Sequence, residues 1–350
     1  MENAKFVISR SCVLDKYNQV KAMCDLVSYS SKTNPLITNI LEKSTDSLFS
    51  VHHENELKHI KDVSRVIFLL QGTRNDEIER LIGLGIERFV VDNEPDLDIL
   101  LECLENEQKL KEKSIKLFLR VKLKENTLRT ERHFVFGMDC DVVNKRIAEL
   151  STNKSIKEIG VHFHRKTQNL SEWNLSYEFE NMINENVLRF VKVINIGGGL
   201  PSVYKDTNKD VIDIVFRRIN EFKEFVNKKG IALMIEPGRF IAAPSGRLVT
   251  YVKAIYDNNI IVNASVYNSD MDAILVPTKL LVEGELEKDK GKPYVVKGIT
   301  PCSLDLFRYR VYLKNPKIGD KLVFLNAGAY NFSSDFCDLD KLESNIVESF

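Results

Sequence analysis

The 350-residue sequence lacks a net charge, a long apolar run and any low-complexity linker. Lysine plus arginine and aspartate plus glutamate number 50 each, so no net field attracts the chain to nucleic acid or to an anionic membrane surface. No apolar run approaches the roughly 18 residues of a membrane span, and residues 1–5 do not begin a signal peptide. We therefore expect a soluble protein with small-molecule or protein partners, without nucleic acid or membrane.

The cysteines form no C-x-x-C pair, and no histidine stands near one at metal-ligand spacing. Reduced thiols in a cytoplasmic protein, with no bound metal, are the simplest interpretation of this pattern. The six cysteines are Cys12, Cys24, Cys103, Cys140, Cys302 and Cys337.

Short β-branched or aromatic runs alternate with amphipathic stretches between residues 26 and 238, which is typical of a parallel α/β sheet. Eight strand–helix repeats predict a TIM-like (β/α)8 barrel over residues 12–245. The predicted strands are Leu26–Ser30, Leu48–His52, Val66–Leu70, Arg88–Val91, Leu117–Leu123, Ile159–His164, Val191–Ile196 and Ala232–Ile235.

The pattern changes after Pro244, where strand-like runs follow one another with no helix between them. They predict a second, mostly antiparallel β domain formed by residues 246–350 together with residues 1–11. Lys5–Ser9 is expected to supply a strand to this domain. The later runs are Arg247–Ala254, Asn259–Ala264, Tyr294–Lys297 and Lys321–Leu325.

Lys32 is expected at the end of the first barrel strand, followed by an Asn-Pro turn. Ligands of such barrels bind at the carboxyl ends of the strands, and a partly desolvated lysine has the lowered pKa that imine chemistry needs. A lone lysine in front of a turn is more often an ordinary surface residue. The residues at the ends of the other strands therefore decide between the two interpretations.

Two further strand ends carry groups that suit a phosphorylated ligand. Gly197, Gly198 and Gly199 can expose backbone N–H groups to an oxyanion, although glycines also serve plain turns. After the eighth strand, Arg239 can fork onto a phosphate and Glu236 can face a cationic ring nitrogen.

Two histidines alternate at the end of the sixth strand, and only one of them is expected to meet a ligand. His164 is nearer the end, where an imidazole can stack on a flat ring, whereas a structural role is favoured for His162. His52 and His53 could equally be polar rim residues. Lysine, glycines, arginine and glutamate at strand ends suit pyridoxal phosphate, an aldehyde that forms imines.

The chain resembles the fold-type III pyridoxal-phosphate decarboxylases, the family of ornithine, arginine and diaminopimelate decarboxylases, over nearly its whole length. The motifs that carry the resemblance are Tyr29–Pro35, Gly160–His164, Asn195–Pro201, Glu236–Leu248 and Gly328–Tyr330.

The resemblance implies a role for each matching residue. Lys32 would bind the cofactor as an imine, His164 would stack on its ring, and Glu236 would pair with its ring nitrogen. Arg120 matches an active-site arginine of the family and is a candidate substrate-binding residue, and Gly238, in the glutamate–arginine stretch, would contact the cofactor. The phosphate would be bound by Thr167, in place of the usual serine, with Gly198, Gly199, Arg239 and Tyr330. A homodimer with shared active sites is also implied.

The sequence departs from the family pattern around Cys302. Anchored on Gly298 and Asp305, the alignment places Pro301 at the usual cysteine and Cys302 at the usual acid that contacts substrate. Either Cys302 still donates a proton to the substrate carbon, or it is a buried inert cysteine. Cys302 and Asp305 are thus candidate substrate-binding residues, with Cys302 also a candidate catalytic acid.

The other departures concern substrate charge. Val276 stands where diaminopimelate decarboxylases use an arginine, which disfavours diaminopimelate because an apolar side chain cannot pair with a distal carboxylate. Arg165 and Lys166 suggest either an anionic substrate or solvated surface charges.

These features predict a carboxy-lyase that removes the α-carboxylate of an amino acid, or of an aminocarboxypropyl-type group on a larger substrate, by imine exchange at Lys32, CO2 loss and α-carbon protonation. The decarboxylase of antibiotic biosynthesis that trims such a group during microcin C maturation is similar in kind. Two alternatives stay open: a racemase of the same fold, and a catalytically silent regulator of the antizyme-inhibitor type.

Overall fold

The computed structural model describes residues 2–106, 113–123, 136–165, 173–207, 210–276, 278–331 and 333–350. The chain divides into two compact units. We call Asn18–Leu200 with Asp210–Gly238 the barrel unit, and Met1–Tyr17, Pro201–Lys209 and Arg239–Phe350 the β unit. This division differs from the predicted bounds at 12 and 245. Pro201–Lys209 belongs to the β unit because its backbone and side chains hydrogen-bond there, as in the 2.9 Å bond from Lys205 N to Lys279 O.

Eight parallel strands of the barrel unit close into a barrel, in which each strand pairs with its sequence neighbours and the first pairs with the last. They are β2 (Leu26–Ser30), β3 (Leu48–Val51), β4 (Val66–Leu70), β5 (Arg88–Val91), β6 (Ile115–Arg120), β7 (Ile156–His162), β8 (Val191–Asn195) and β9 (Ala232–Ile235). All eight predicted strands are present. Since β7 ends at His162, His164 lies just beyond the strand.

The barrel interior is filled by large apolar side chains from alternate strand positions, as expected for a closed barrel of this size. One core cluster joins Ile67, Val90, Phe118, Val193 and Met234. Phe118 needs a glycine opposite, because a Cβ at Gly160 would lie 2.3 Å from the ring atom Cδ1.

Helices connect most of the barrel strands. They are α2 (Pro35–Ser44), α3 (Asn75–Gly83), α4 (Glu94–Asn106), α5 (Cys140–Leu150), α6 (Leu175–Met182), α7 (Glu185–Leu188) and α8 (Asp210–Asn227), and α1 (Arg10–Met23) precedes β2. The connection from β3 to β4 differs, because it carries the 3-10 helices Glu54–His59 and Val63–Arg65. Within the described ranges, no helix is long and apolar enough to cross a membrane.

The β unit is a sheet of mostly antiparallel pairs, as predicted. Its strands are β1 (Lys5–Ser9), β10 (Gly246–Tyr256), β11 (Asn259–Val262), β12 (Leu281–Val282), β13 (Lys292–Lys297), β14 (Leu306–Leu313), β15 (Lys321–Leu325) and β16 (Glu343–Val347). β1 pairs antiparallel with β10, and the parallel pairs among the described strands of this unit are β1 with β16 and β11 with β13.

The strand supplied by Lys5–Ser9 is confirmed, whereas the expectation of no helix among the later strands is wrong. Two short helices, α10 (Val266–Ser269) and α11 (Asp272–Leu275), follow β11, and α9 (Arg239–Ala242) precedes β10. The hydroxyl of Ser265 accepts from Tyr267 N and so caps α10.

Candidate active site

Lys32 lies in a 3-10 turn, Ser31–Thr33, that joins β2 to α2. The turn is fixed at its far end, because the Asn34 side chain accepts a 3.1 Å hydrogen bond from Leu36 N and Pro35 opens the helix. The Tyr29 hydroxyl donates to Asn34 O from within the barrel. Lys32 therefore starts from a constrained backbone at the carboxyl end of β2.

Lys32 is an exposed residue, yet the protein around its amine removes part of the water from it. Desolvation lowers its pKa below the ordinary 10.5, and the positive charge of Arg120 lowers it further. Glu56 and Glu236 oppose this shift through their negative charges. A larger fraction of neutral amine, the form that attacks an aldehyde, follows from the lowered pKa.

The turn that follows β9 packs directly against the Lys32 turn. Ser30 N donates to Pro237 O at 3.3 Å, and a Cβ at Gly238 would lie only 2.3 Å from Thr33 Oγ1. Gly238 is required here because this close approach leaves no space for a side chain. A contact between Gly238 and the cofactor stays a prediction.

Glu236 follows β9 and is buried, with a side chain 3% exposed. Ser50 Oγ and Asn195 Nδ2 each donate to Oε1 at 2.8 Å. His162 Nε2 lies 3.3 Å from Oε2. Burial would raise the pKa of this carboxyl, but its interaction with His162 and the hydrogen bond from the Asn195 amide hold it below its usual range. Glu236 is therefore an ionised carboxylate inside the barrel.

His164 and the glycine turn after β8 are connected directly. Gly198 N donates a 3.0 Å hydrogen bond to His164 Nδ1, while Gly197 N donates to Asn195 Oδ1. Side chains are excluded on this turn, because a Cβ at Gly197 would lie 2.6 Å from His164 Nδ1 and one at Gly198 2.8 Å from Glu236 O. The Gly198 amide thus orients the imidazole in this structure, and phosphate binding by Gly198 and Gly199 stays a prediction.

Three more polar groups lie around Lys32 and Glu236. Arg120 ends β6, and its Nε is buried without a hydrogen-bond partner among the described residues. The same holds for His52 Nδ1 and for Thr33 Oγ1. Burial lowers the pKa of His52 to about 3, so its ring is neutral. Unpaired buried polar atoms carry a free-energy cost, and a polar ligand would remove it.

Arg239 and Tyr330 belong to the β unit. The Arg239 guanidinium forms a two-pronged ion pair with Asp272 and donates to Tyr204 Oη at 2.9 Å. The Arg239 Cζ atom lies 4.9 Å from the centroid of the Tyr330 ring. Because Asp272 already occupies the fork of the guanidinium, phosphate binding by Arg239 and Tyr330 stays a prediction.

Cys302 is half-buried in the β unit, where its sulfur lies 3.0 Å from Tyr267 Oη. This hydrogen bond lowers the pKa of the thiol and raises that of Tyr267 to about 12, because the phenol donates to the thiolate. The Tyr267 ring stacks on Phe336 with centroids 3.9 Å apart. Cys302 is therefore a polarised thiol, which argues against its being an inert cysteine. Its role as a catalytic acid stays a prediction.

Asp305 is only 2% exposed, and its carboxylate is engaged within the β unit. Oδ1 accepts from Val266 N at 2.9 Å, and Oδ2 accepts from Thr300 N and Thr300 Oγ1 at 2.9 and 2.7 Å. Gly298 must be a glycine because its Cβ would collide with the same carboxylate. These contacts favour a structural role for Asp305, and substrate binding by it stays a prediction.

Arg165, the residue after His164, is already paired and does not offer a free anion site. Arg165 is buried and pairs with Glu178 at 2.6 Å, with its guanidinium over the rings of Phe163 and Trp173. Lys166 and Thr167 lie outside the described residues.

Ligand atoms of His162, His164 and Glu236 lie within 4.8 Å of one another, a spacing that metal sites also show. Nε2 of His162 already contacts the Glu236 carboxylate, so these three residues do not offer three free ligand atoms. A flat ring with an aldehyde, a hydroxyl and a basic nitrogen fits better: Lys32 offers an amine, Arg120 an unpaired N–H, His164 an imidazole face and Glu236 an anion.

A family model described as "Pyridoxal-dependent decarboxylase, pyridoxal binding domain" matches residues 13–243. The chain belongs to this family. The predicted family, barrel fold and pyridoxal-phosphate cofactor are confirmed.

Two characterised relatives show how far the similarity extends. The chain is 24% identical to diaminopimelate decarboxylase of Aquifex aeolicus over 293 residues, which cover 77% of this chain and 66% of that enzyme. It is 26% identical to 2-[(L-alanin-3-ylcarbamoyl)methyl]-2-hydroxybutanedioate decarboxylase of Staphylococcus aureus over 299 residues, or 78% and 74% of the two chains. The matched stretch thus spans slightly less than two-thirds of the first relative.

Solved structures agree on the fold. The crystal structure of Helicobacter pylori diaminopimelate decarboxylase in complex with L-lysine superimposes with a TM-score of 0.82 at 20% identity, covering 100% of this chain and 93% of that one.

Sequence reasoning did not identify Ser50 and Asn195, and it assigned His162 a structural role. All three contact Glu236. Ser50 carried a usable signal, since it is the one polar residue of β3, in an otherwise apolar strand.

Proposed function

We propose that this chain decarboxylates an amino acid, or an aminocarboxypropyl-type group on a larger substrate, at the carboxyl ends of its barrel strands. The observation that carries the proposal is the ionised Glu236, buried and held by hydrogen bonds in the same ring of strand ends as the accessible Lys32 amine. The name of the Staphylococcus relative, a decarboxylase of an alanine unit joined to a hydroxy acid, supports a larger substrate.

Bound pyridoxal phosphate supplies a ring that takes up the electron pair left when CO2 departs. Lys32 would hold the cofactor covalently, and its lowered pKa makes the neutral amine available. Glu236 keeps a negative charge that would favour a protonated ring nitrogen in the bound cofactor. His164, oriented by the Gly198 amide, presents its ring from the strand end.

Proton return to the substrate carbon requires an acid. Cys302 is our candidate, because Tyr267 polarises its thiol. Lys32 is the other candidate, since a protonated amine at this strand end could also donate a proton.

Lys32→Ala tests the function directly. We expect the visible absorbance band of the bound cofactor and CO2 release both to disappear, because the variant lacks the amine that forms the covalent link. Lys43→Ala, an exposed lysine on α2, serves as the matched control and should retain both. The substrate panel would include lysine, ornithine, diaminopimelate and aminocarboxypropyl conjugates, with products identified by mass spectrometry.

Each outcome separates the candidate functions. Full CO2 release by the Lys32→Ala protein would contradict the assignment. A wild-type protein with no absorbance band would favour the silent regulator, and inversion of the substrate without CO2 would favour the racemase.

We also propose a homodimer. Large apolar side chains that line one pocket of the β unit are exposed, namely Ile274, Leu304 and Tyr309 at 38%, 63% and 76%. Clustered exposed apolar side chains of this kind mark association sites. Analytical ultracentrifugation should give twice the 40.2 kDa chain mass, and a monomer at all concentrations would contradict the proposal.

A further inference from the structure

We propose that His162 is a positioning residue for Glu236: its buried imidazole donates the hydrogen bond that fixes one carboxylate oxygen and leaves a single acceptor position for the cofactor's ring nitrogen. The inference rests on the proposed function, because it assigns a purpose to the orientation of Glu236.

The barrel places the two residues together. His162 is the last residue of β7, paired with Arg120 on β6 and with Asn195 on β8, and its side chain is fully buried. Nε2 lies 3.3 Å from Glu236 Oε2, and Nδ1 has no hydrogen-bond partner in the described part of the chain. An ionised carboxylate only accepts hydrogen bonds, so the proton of a neutral imidazole must be on Nε2.

The remaining contacts of Glu236 have defined directions. Asn195 must direct its NH2 group at Oε1, because its Oδ1 accepts from Gly197 N. Ser50 donates to the same oxygen, which leaves its own oxygen to accept from Ser28 at 2.7 Å. Each carboxylate oxygen has about two acceptor positions. Oε1 is therefore saturated, and Oε2, with His162 as its only donor among the described residues, has one position left.

The surrounding charges explain why one donor matters. The charged or titratable groups that act on Glu236 are His162, His164, His52, Lys32 and Arg120. Burial lowers the pKa of His162, which favours its neutral form. The hydrogen bond from His162 is one of the influences that lower the pKa of Glu236, so its removal should raise that pKa.

Histidine ¹⁵N NMR of the protein without cofactor tests the hydrogen bond itself. The His162 signals would be identified by their loss in His162→Gln. We expect Nε2 protonated and Nδ1 unprotonated over the whole pH range in which the protein is folded. A proton on Nδ1, or a doubly protonated ring near neutral pH, would overturn the proposal. This measurement decides the hydrogen bond even if pyridoxal phosphate does not bind.

Absorbance titrations with pyridoxal phosphate test the consequence. His162→Leu should weaken binding about tenfold, the loss expected for one hydrogen bond to a charged group, and should make the cofactor spectrum pH-dependent. His162→Gln, whose amide can replace the Nε2 donor, should restore a pH-independent spectrum. If His162→Leu does not fold, Ser50→Ala takes its place. It should show the same weakened binding and pH-dependent spectrum to a smaller extent.

Ser47→Ala is the matched control, because this buried serine lies just before β3 and its hydroxyl bonds only to backbone groups among the described residues. A merely structural His162 would change the melting temperature in both His162 variants without changing the pH dependence of the spectrum. That result would overturn the proposal. Absence of any Lys32-dependent band in the wild type would instead contradict the proposed function.

Discussion

Two buried carboxylates, Glu236 in the barrel unit and Asp305 in the β unit, are 3% and 2% exposed, yet their surroundings differ. Asp305 accepts hydrogen bonds from Thr300 and Val266, at 2.7 to 2.9 Å, which hold a loop and a short helix in place. Glu236 accepts from three strand ends and retains an acceptor position beside buried polar atoms that lack partners among the described residues. Burial alone therefore does not distinguish the two carboxylates. The hydrogen-bond acceptor position that remains open on Glu236 does.

The two basic residues repeat the contrast. Arg239 is paired by Asp272 and Tyr204, whereas Lys32 has an accessible amine and a lowered pKa. Desolvation lowers the pKa of both groups. At Arg239 the direct hydrogen bonds outweigh desolvation and raise the pKa, whereas the pKa of Lys32 stays lowered. The first residue is held in its charged form, and the second is poised to lose its proton.

Asp305→Ala should give the largest effect in the β unit. The change leaves the amides of Val266 and Thr300 without their acceptor, so we expect a loss of about 2 kcal/mol in the free energy of unfolding. Urea denaturation of the cofactor-free protein measures this loss. Ser303→Ala, an exposed neighbour in the same loop, should change stability by less than about 0.5 kcal/mol.

The kinetics of the same variant sharpen the comparison. If Asp305→Ala kept full stability and raised only KM, Asp305 would be a substrate ligand, and the distinction between the two carboxylates would fail.

Tyr267→Phe should give a smaller effect, confined to one thiol. The hydrogen bond from Tyr267 lowers the pKa of Cys302, so its removal should raise that pKa and shift the alkylation rate profile of Cys302 to higher pH. Iodoacetamide labelling followed by peptide mass spectrometry separates Cys302 from the other five cysteines.

Tyr309→Phe provides the control, since this tyrosine is 76% exposed. An identical pH profile for the Tyr267→Phe and wild-type proteins would show that the phenol does not tune Cys302, and Cys302 would then resemble an ordinary half-buried thiol.

Much of the fold could be predicted because its signals are local. Apolar β-branched runs produced all eight barrel strands, and β2, β4, β5 and β9 have the predicted bounds. The predicted domain bounds stay a prediction, and the compact β unit also includes Pro201–Lys209, which contacts residues about 70 positions away, such as Lys279. The helices after β11 were missed because each has only four residues, too short for a periodic pattern.

The sequence by itself determined the family, the cofactor and the position of Lys32 at a strand end, since each depends on short motifs in a fixed order. Only the tertiary structure decided which polar side chains are already satisfied. His162 pairs with Glu236, Arg239 with Asp272 and Asp305 with its own loop. The first of these pairs joins residues 74 positions apart, and closure of the barrel brings them within hydrogen-bonding distance.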